Sequence, residues 1–293
     1  MSTSPISPAF LQVDEDTAAR VALACAGVSG EVSVHVGIQT LGSAAALVAA
    51  VHDDQDAAAP LSPQVRRRIR SLATGNRVAR ELRETAHRGL AIVTPRCDLW
   101  PTQLDGLRGL APQLLWVQGD PRILQEPSVA ITGTATPTNF GIHMGIELAT
   151  GLAGRGWVVA AGSGSGVEQI ALRSADAMRG RSIVVAAASL DKVRSSSTMG
   201  VAVSELPPTG QLTLRAQRRS KHLLAALASK TIVVEAPLSS SSLRTAEAAH
   251  AMDRPVGVVP GPTASSISAG CDWLAQEHQV SLVTSITDAD RLR

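Results

Sequence analysis

From residue 89 onward the chain alternates between short apolar, β-branched runs and longer stretches with helical spacing. The runs are LAIVTP, LLWVQG, VAITG, WVVAAG, SIVVAAA, AVSEL, TIVVEA, VGVVPG and VSLVTS. Among the stretches between them, HMGIELATGLAGRG, VEQIALRSADAMRG, RRSKHLLAALAS and LRTAEAAHAMDR read as helices. Strands alternating with helices of this length predict right-handed βαβ units and an α/β, doubly wound, mostly parallel sheet.

The first 88 residues contain no strand run. Helices are predicted at 17–27, 41–51 and 63–88, and HDDQDAAAPLSP (52–63) reads as a polar, proline-bearing connector. The expected organisation is a small helical N-terminal module over 1–88, followed by an α/β domain over 89–293. The one low-complexity piece, SSSS at 239–242, is expected inside a βα turn.

Composition narrows the function. Aromatic residues make up only 2% of the 293, tyrosine is absent, and the core must therefore be Ala, Val, Leu and Ile, which suits a parallel sheet covered by helices. Such a chain supplies few aromatic platforms for base stacking. Cys25, Cys97 and Cys271 are odd in number and widely spaced, so they indicate neither a disulfide framework nor a zinc site. No metal and no cofactor is expected. The start lacks a basic stretch followed by an apolar run, and no segment approaches 18 uninterrupted apolar residues, so a cytoplasmic protein without membrane contact is expected.

A net charge of +2 is unremarkable, but its distribution is uneven. Between 66 and 88 stand eight arginines against Glu81 and Glu84, and between 209 and 230 stand Arg215, Arg218, Arg219, Lys221 and Lys230 with no acid. Clusters of this kind are the electrostatic footprint that binding phosphate requires, although solvated helix faces share it.

In an open α/β sheet, ligands sit beyond the carboxyl ends of the strands, so the loops that follow strands carry the chemistry. The first is VAITGTATPTNFG, in which Gly133, Thr134, Thr138 and Gly141 lead into a helix. Glycine admits close approach, hydroxyls donate to phosphate oxygens, and a helix N-terminus favours an anion. The second is AAGSGSGVEQIA, with Gly162, Ser163 and Gly166. Neither turn is a P-loop or a dinucleotide fingerprint. In the third, Arg218, Arg219, Lys221 and His222 are expected to begin a helix, an unfavourable place for cations unless they meet phosphate. The fourth, VVEAPLSSSSLRTAEAA, offers Ser240, Ser242 and Thr245 in a hydroxyl-rich turn.

The order of these motifs resembles the DprA/Smf family of DNA-processing proteins. Trp100-Pro101-Thr102-Gln103-Leu104 is similar to its YPxxL segment, and Leu115 to Gly119 to its Leu-Tyr-x-x-Gly strand. VAITGTATPTNFG follows the pattern VAIVGSRxxTxYG, AGSGSGVEQIAL the pattern SGxAxGIDxxAH, and Ser204-Glu205-Leu206-Pro207 the pattern SExP. QRRSKHLLAALA, VVEAPLSSSSLRTA, VVPG and AGCDWL follow the family's RNR helix, SGS loop, VPG and AGxNxLI in the same order. The resemblance covers nearly the whole chain. It implies an extended Rossmann-like domain behind a helical module of SAM-like or helix-hairpin type. It further implies a non-catalytic dimer that binds single-stranded DNA without sequence preference and hands it to the RecA recombinase during transformation. The fourteen loop residues named above are then the expected DNA contacts, and Arg219→Ala is expected to weaken binding.

The chain departs from the pattern inside those loops. Ala135 stands where the family has arginine, Glu168 and Leu172 where it has Asp and His, Ser220-Lys221-His222 for Arg-Asn-Arg, and Ser241 for glycine. Two other readings stay open. One is a nucleotide phosphoribohydrolase of the lysine decarboxylase-like type, with Glu205, Glu235 or Glu247 as catalytic carboxylate; the other is an interaction protein with a degenerate pocket.

Overall fold

The computed structural model describes residues 13–53, 60–192, 199–262 and 265–293. Its strands are β1 (Ala91–Val93), β2 (Leu115–Gln118), β3 (Ser128–Gly133), β4 (Val158–Gly162), β5 (Ser182–Ala186), β6 (Gly200–Ser204), β7 (Lys230–Val234), β8 (Val256–Val258) and β9 (Ser281–Leu282). Each lies on one of the nine apolar runs. They form one sheet in the order β1-β2-β6-β5-β4-β3-β7-β8-β9, antiparallel at β1–β2 and β2–β6 and parallel elsewhere. From β3 the chain winds outward through β4, β5 and β6, then returns to place β7 on the other side of β3. The order reverses between β3 and β7, and the carboxyl ends of the strands around that reversal open onto a common rim.

The parallel strands β3 to β8 are buried on both faces because helices cover both, while β9 at the edge is exposed. One face packs Ala130, Ala160, Ile183 and Val203 against α8 (Leu214–Leu227), and Val233 and Val258 against α9 (Leu243–His250) and α10 (Ala269–Glu277). The other packs Val129, Ile131, Val159 and Ile232 against α6 (Asn139–Gly154), α7 (Val167–Ala177) and α11 (Ile286–Arg291). These three helices leave the β5–β6–β2 end of the second face uncovered.

The helical residues before β1 cover that end. They form α1 (Glu15–Cys25), α2 (Val32–Leu41), α3 (Ala44–His52), α4 (Pro63–Leu72) and α5 (Gly75–His87). Val21, Ala24 and Cys25 of α1 share a core with Trp116, Val184 and Ala202 of the sheet. Polar contacts hold the same contact in register. The Trp116 indole donates to Thr85 Oγ1 at 3.1 Å, and the fully buried Glu81 carboxylate accepts from the Thr209 amide at 3.0 Å and from its hydroxyl.

The helical module differs from its sequence-based outline in two places. The segment predicted as one helix over 63–88 is two, broken at Ala73 and Thr74, where Ala73 leaves helical geometry (ψ 57°) beside the poor helix formers Thr74 and Gly75. Helix α2 was not predicted, because its valines alternate as in a strand; packing of Val34 into the module core overrides that local preference. The connector at 52–63 falls in part on 54–59, outside the described residues. Among the described residues no single helix is long and apolar enough to cross a membrane.

Candidate nucleic-acid interface

The first glycine turn, between β3 and α6, is occupied by the protein itself. Thr138 caps α6, its amide donates to Glu235 Oε2 at 2.8 Å, and its hydroxyl donates to Glu235 Oε1. The anion that the helix N-terminus favours is therefore the side chain of the residue that follows β7. Glu235 is 1% exposed and has a positive φ of 45°, a backbone state that non-glycine residues seldom adopt. The Thr134 amide holds it there by donating to the Glu235 carbonyl at 2.6 Å.

The glycines of this turn serve packing. A Cβ on Gly141 would stand 2.1 Å from Glu235 Oε2, and one on Gly133 would stand 1.9 Å from the Val234 carbonyl oxygen. The expected phosphate contacts Gly133, Thr134, Thr138 and Gly141 thus serve the close approach of β3, β7 and α6, and Thr134 is itself buried.

The second turn, between β4 and α7, does open on the rim. Ser163 and Gly164 are exposed, whereas Gly166 turns inward with φ 69°. A Cβ on Gly166 would collide with the Thr134 carbonyl oxygen at 2.3 Å, so Gly166 is where the first two turns touch. Behind Gly162 and Gly164 lies Glu168, 4% exposed, whose carboxylate accepts from Thr132 Oγ1 at 2.9 Å, the Gly164 amide at 3.2 Å and Lys221 Nζ at 2.6 Å.

Helix α8 starts four residues earlier than predicted, at Leu214, with the Thr213 hydroxyl accepting from the Ala216 amide at 3.1 Å. The cation placed against the dipole in the first turn is therefore Arg215, which pairs with Glu31 at 2.8 Å and donates to the Ser29 carbonyl at 3.1 Å. Arg218, Arg219, Lys221 and His222 follow one turn later, and helical spacing divides them. Arg219 points away from the second turn and donates to both oxygens of Glu205, Nε at 2.6 Å and Nη2 at 2.8 Å, with a further bond to the Leu110 carbonyl. The His222 ring is tied to the Arg218 carbonyl of its own helix at 2.9 Å. Arg218 and Lys221 remain on the side of the second glycine turn.

In the fourth loop the Ser240 and Ser242 hydroxyls face each other at 2.6 Å, and Thr245 is wholly buried beneath them. Thr245 and Ser242 are too deep to reach a solvent-borne strand, whereas Leu238, Ser239, Ser241 and Arg244 are exposed.

One cleft of about 510 Å³ collects what is left on the rim. The second turn contributes Gly162, Ser163 and Gly164, α8 contributes Gln217, Arg218 and Lys221, and the fourth loop contributes Ser241 and Arg244. Leu212 and Leu214, 49% and 74% exposed, stand at its mouth, and among the described residues no aromatic side chain lines it. Lys221 is balanced by Glu168, which leaves Arg218 and Arg244 as the uncompensated charges among the described residues there. Arg244 was missed by loop reading because it lies one residue inside α9, where it reads as a helix residue, although it falls in the first turn facing the rim.

Comparison with known proteins places this cleft in context. The family model for DNA recombination-mediator protein A matches residues 91–291. A putative DNA processing protein DprA from Mycobacterium tuberculosis is 33% identical over 234 residues, covering 73% of this chain and 60% of that protein. The DNA processing protein DprA of Streptococcus pneumoniae is 30% identical over 201 residues, 65% of this chain and 70% of that one. The chain thus spans about three fifths of the length of the mycobacterial relative. The X-ray structure of the pneumococcal DprA superimposes with a TM-score of 0.75 over 97% of this chain and 99% of its own, at 22% identity. A Helicobacter pylori DprA structure, described for its single-stranded DNA binding mode, superimposes with a TM-score of 0.61 over 70% of this chain and 96% of its own, at 24% identity. An unbroken match from the first strand to the last helix, together with these relatives, shows that the chain belongs to the DprA/Smf family.

Proposed function

We propose that this protein binds single-stranded DNA without sequence preference in the cleft between the second glycine turn, α8 and the β7–α9 loop. The observation that carries the reading is the convergence of Arg218, Lys221 and Arg244 with the Ser163–Gly164 turn on one rim at the carboxyl ends of parallel strands. The Arg218 and Arg244 guanidiniums neutralise phosphates, the exposed Ser163 hydroxyl adds a neutral donor, and Leu212 and Leu214 offer apolar surface to sugars or bases. Without an aromatic platform, phosphate contacts dominate, and affinity falls steeply with salt.

No reaction is assigned to the site. Of the three carboxylates offered for a hydrolase, Glu205 is paired with Arg219 and Glu235 accepts from Thr138, whereas Glu247 is exposed and lies outside the lining of this cleft. The finer reading is that a homodimer of this chain hands its bound strand to the RecA recombinase in DNA uptake or recombination, as the family resemblance suggests. A fluorescence-anisotropy titration with oligo-dT across a salt series tests the first step, and absence of binding at low salt overturns it. RecA filament formation on strands pre-bound by this protein tests the second.

A further inference from the structure

A second cavity, of about 480 Å³, lies on the opposite side of α8, between the helical module and the sheet domain. Its volume falls in the range of small-molecule sites. Its floor is apolar, from Ala24, Cys25, Ala186 and Leu223. Burial pushes the Cys25 thiol up to about 11, so it adds no negative charge at neutral pH.

The walls carry five arginines from three helices: Arg68 of α4, Arg77 and Arg80 of α5, and Arg215 and Arg219 of α8. Three of them have carboxylates: Glu31 holds Arg215, Glu205 holds Arg219, and Glu81 meets Arg80 while also accepting from Thr209. The other two have none among the described residues. Arg68 reaches only the Gly27 carbonyl, at 2.7 Å, and the Nε of Arg77 is buried with no hydrogen-bond acceptor. A buried guanidinium nitrogen without an acceptor is costly unless a ligand supplies one. Two unbalanced guanidiniums match the two charges of a phosphate monoester, and planar forks are suited to its oxygens.

From this arrangement we infer that the cavity binds a phosphate monoester carried on a small organic body, with Arg68 and Arg77 as its anion contacts and the apolar floor against the body. Such a phosphate is carried by a free mononucleotide and equally by the 5′ end of a DNA strand. Because its walls come from both parts of the chain, an occupant ties the helical module to the sheet domain. The inference does not depend on strand binding in the cleft, which lies across α8.

The test uses the whole chain and dTMP, with thymidine as the unphosphorylated control. The expected result is a rise in Tm of roughly 3 °C at ten times Kd with dTMP and none with thymidine. Arg77→Met and Arg68→Met, which keep the aliphatic stems, abolish the rise, whereas Arg218→Ala in the cleft retains it. Anisotropy with 5′-phosphorylated and 5′-hydroxyl oligo-dT separates the sources: preference for the phosphorylated strand, lost in Arg77→Met, identifies a strand end, and equal binding identifies the free nucleotide. The inference is overturned if millimolar dTMP leaves Tm unchanged and 5′ phosphorylation makes no difference, or if both effects survive in the Arg68 and Arg77 variants.

Discussion

The Lys221 ammonium stands 2.6 Å from Glu168 Oε1 at the back of the candidate cleft, so the basic residue that reaches deepest into the cleft is neutralised by an acid from the first turn of α7, just behind the glycine turn. Glu168 also accepts from Thr132 and Gly164, which makes it the brace of that turn as well as the counter-charge of the lysine. Replacing Glu168 by glutamine keeps the acceptor and removes the charge. Oligo-dT affinity is expected to rise, with a salt slope steeper by up to about 1, because Lys221 becomes free to meet phosphate. Folding stability is expected to fall by roughly 1–3 kcal/mol in urea denaturation, as the lysine loses its charged partner. An unchanged salt slope in anisotropy would place the strand away from Lys221.

Arg218 and Arg219 are neighbours in sequence with different expected phenotypes. Arg218→Ala and Arg244→Ala should each weaken oligonucleotide binding for all sequences and lower the salt slope by about 1, with stability within about 0.5 kcal/mol of the parent. Arg219→Ala breaks a bidentate pair with the buried Glu205 and should cost about 3 kcal/mol of stability. This replaces the sequence-based expectation that Arg219 contacts the strand. Anisotropy and chemical denaturation on the three variants separate the roles.

Acid should loosen the helical module. Burial pushes the Asp16 carboxyl up, but the hydrogen bond and charge of Arg20 and the Ala44 amide outweigh it and leave it below its ordinary value of 3.8. A carboxyl lowered by folding stabilises the fold at pH above its unfolded value, and that contribution is lost as pH falls below about 4 through the folded value. Asp16→Asn should therefore flatten the fall in stability below about pH 4, while costing about 3 kcal/mol at neutral pH because Arg20 is left buried beside a neutral partner. Tm measured from pH 3 to 7 for both proteins checks the sign.

Thiol reactivity should follow burial. Burial pushes the Cys25 thiol up to about 11 and the Cys271 thiol up to about 12, whereas Cys97 is half-buried on a turn. One fast thiol is expected with a chromogenic disulfide reagent in native buffer, lost in Cys97→Ser, with Cys271 reacting only on unfolding and Cys25, on the floor of the cavity beside α8, reacting slowly because so little of it is thiolate. Fast reaction of Cys271 in the native protein would contradict the packing of α10 against the sheet.

What the linear chain determined was the sheet. Nine apolar runs became nine strands; in the central ones, β3 to β8, burial on both faces selects apolar residues at most positions, and that pattern is local. The motif order was legible for the same reason, since each loop directly follows its strand. The cleft was decided in three dimensions. No spacing rule indicates that Glu235 fills the first glycine turn, that Glu168 meets Lys221 across 53 residues, or that Arg219 turns toward Glu205 while Arg218 stays on the rim. Those outcomes depend on which side of α8 each residue takes once the helix starts at Leu214, and on which acids the crossovers bring within about 3 Å. Charge counted along a sequence measures the supply of cations; only tertiary packing decides which of them the protein has already neutralised for itself.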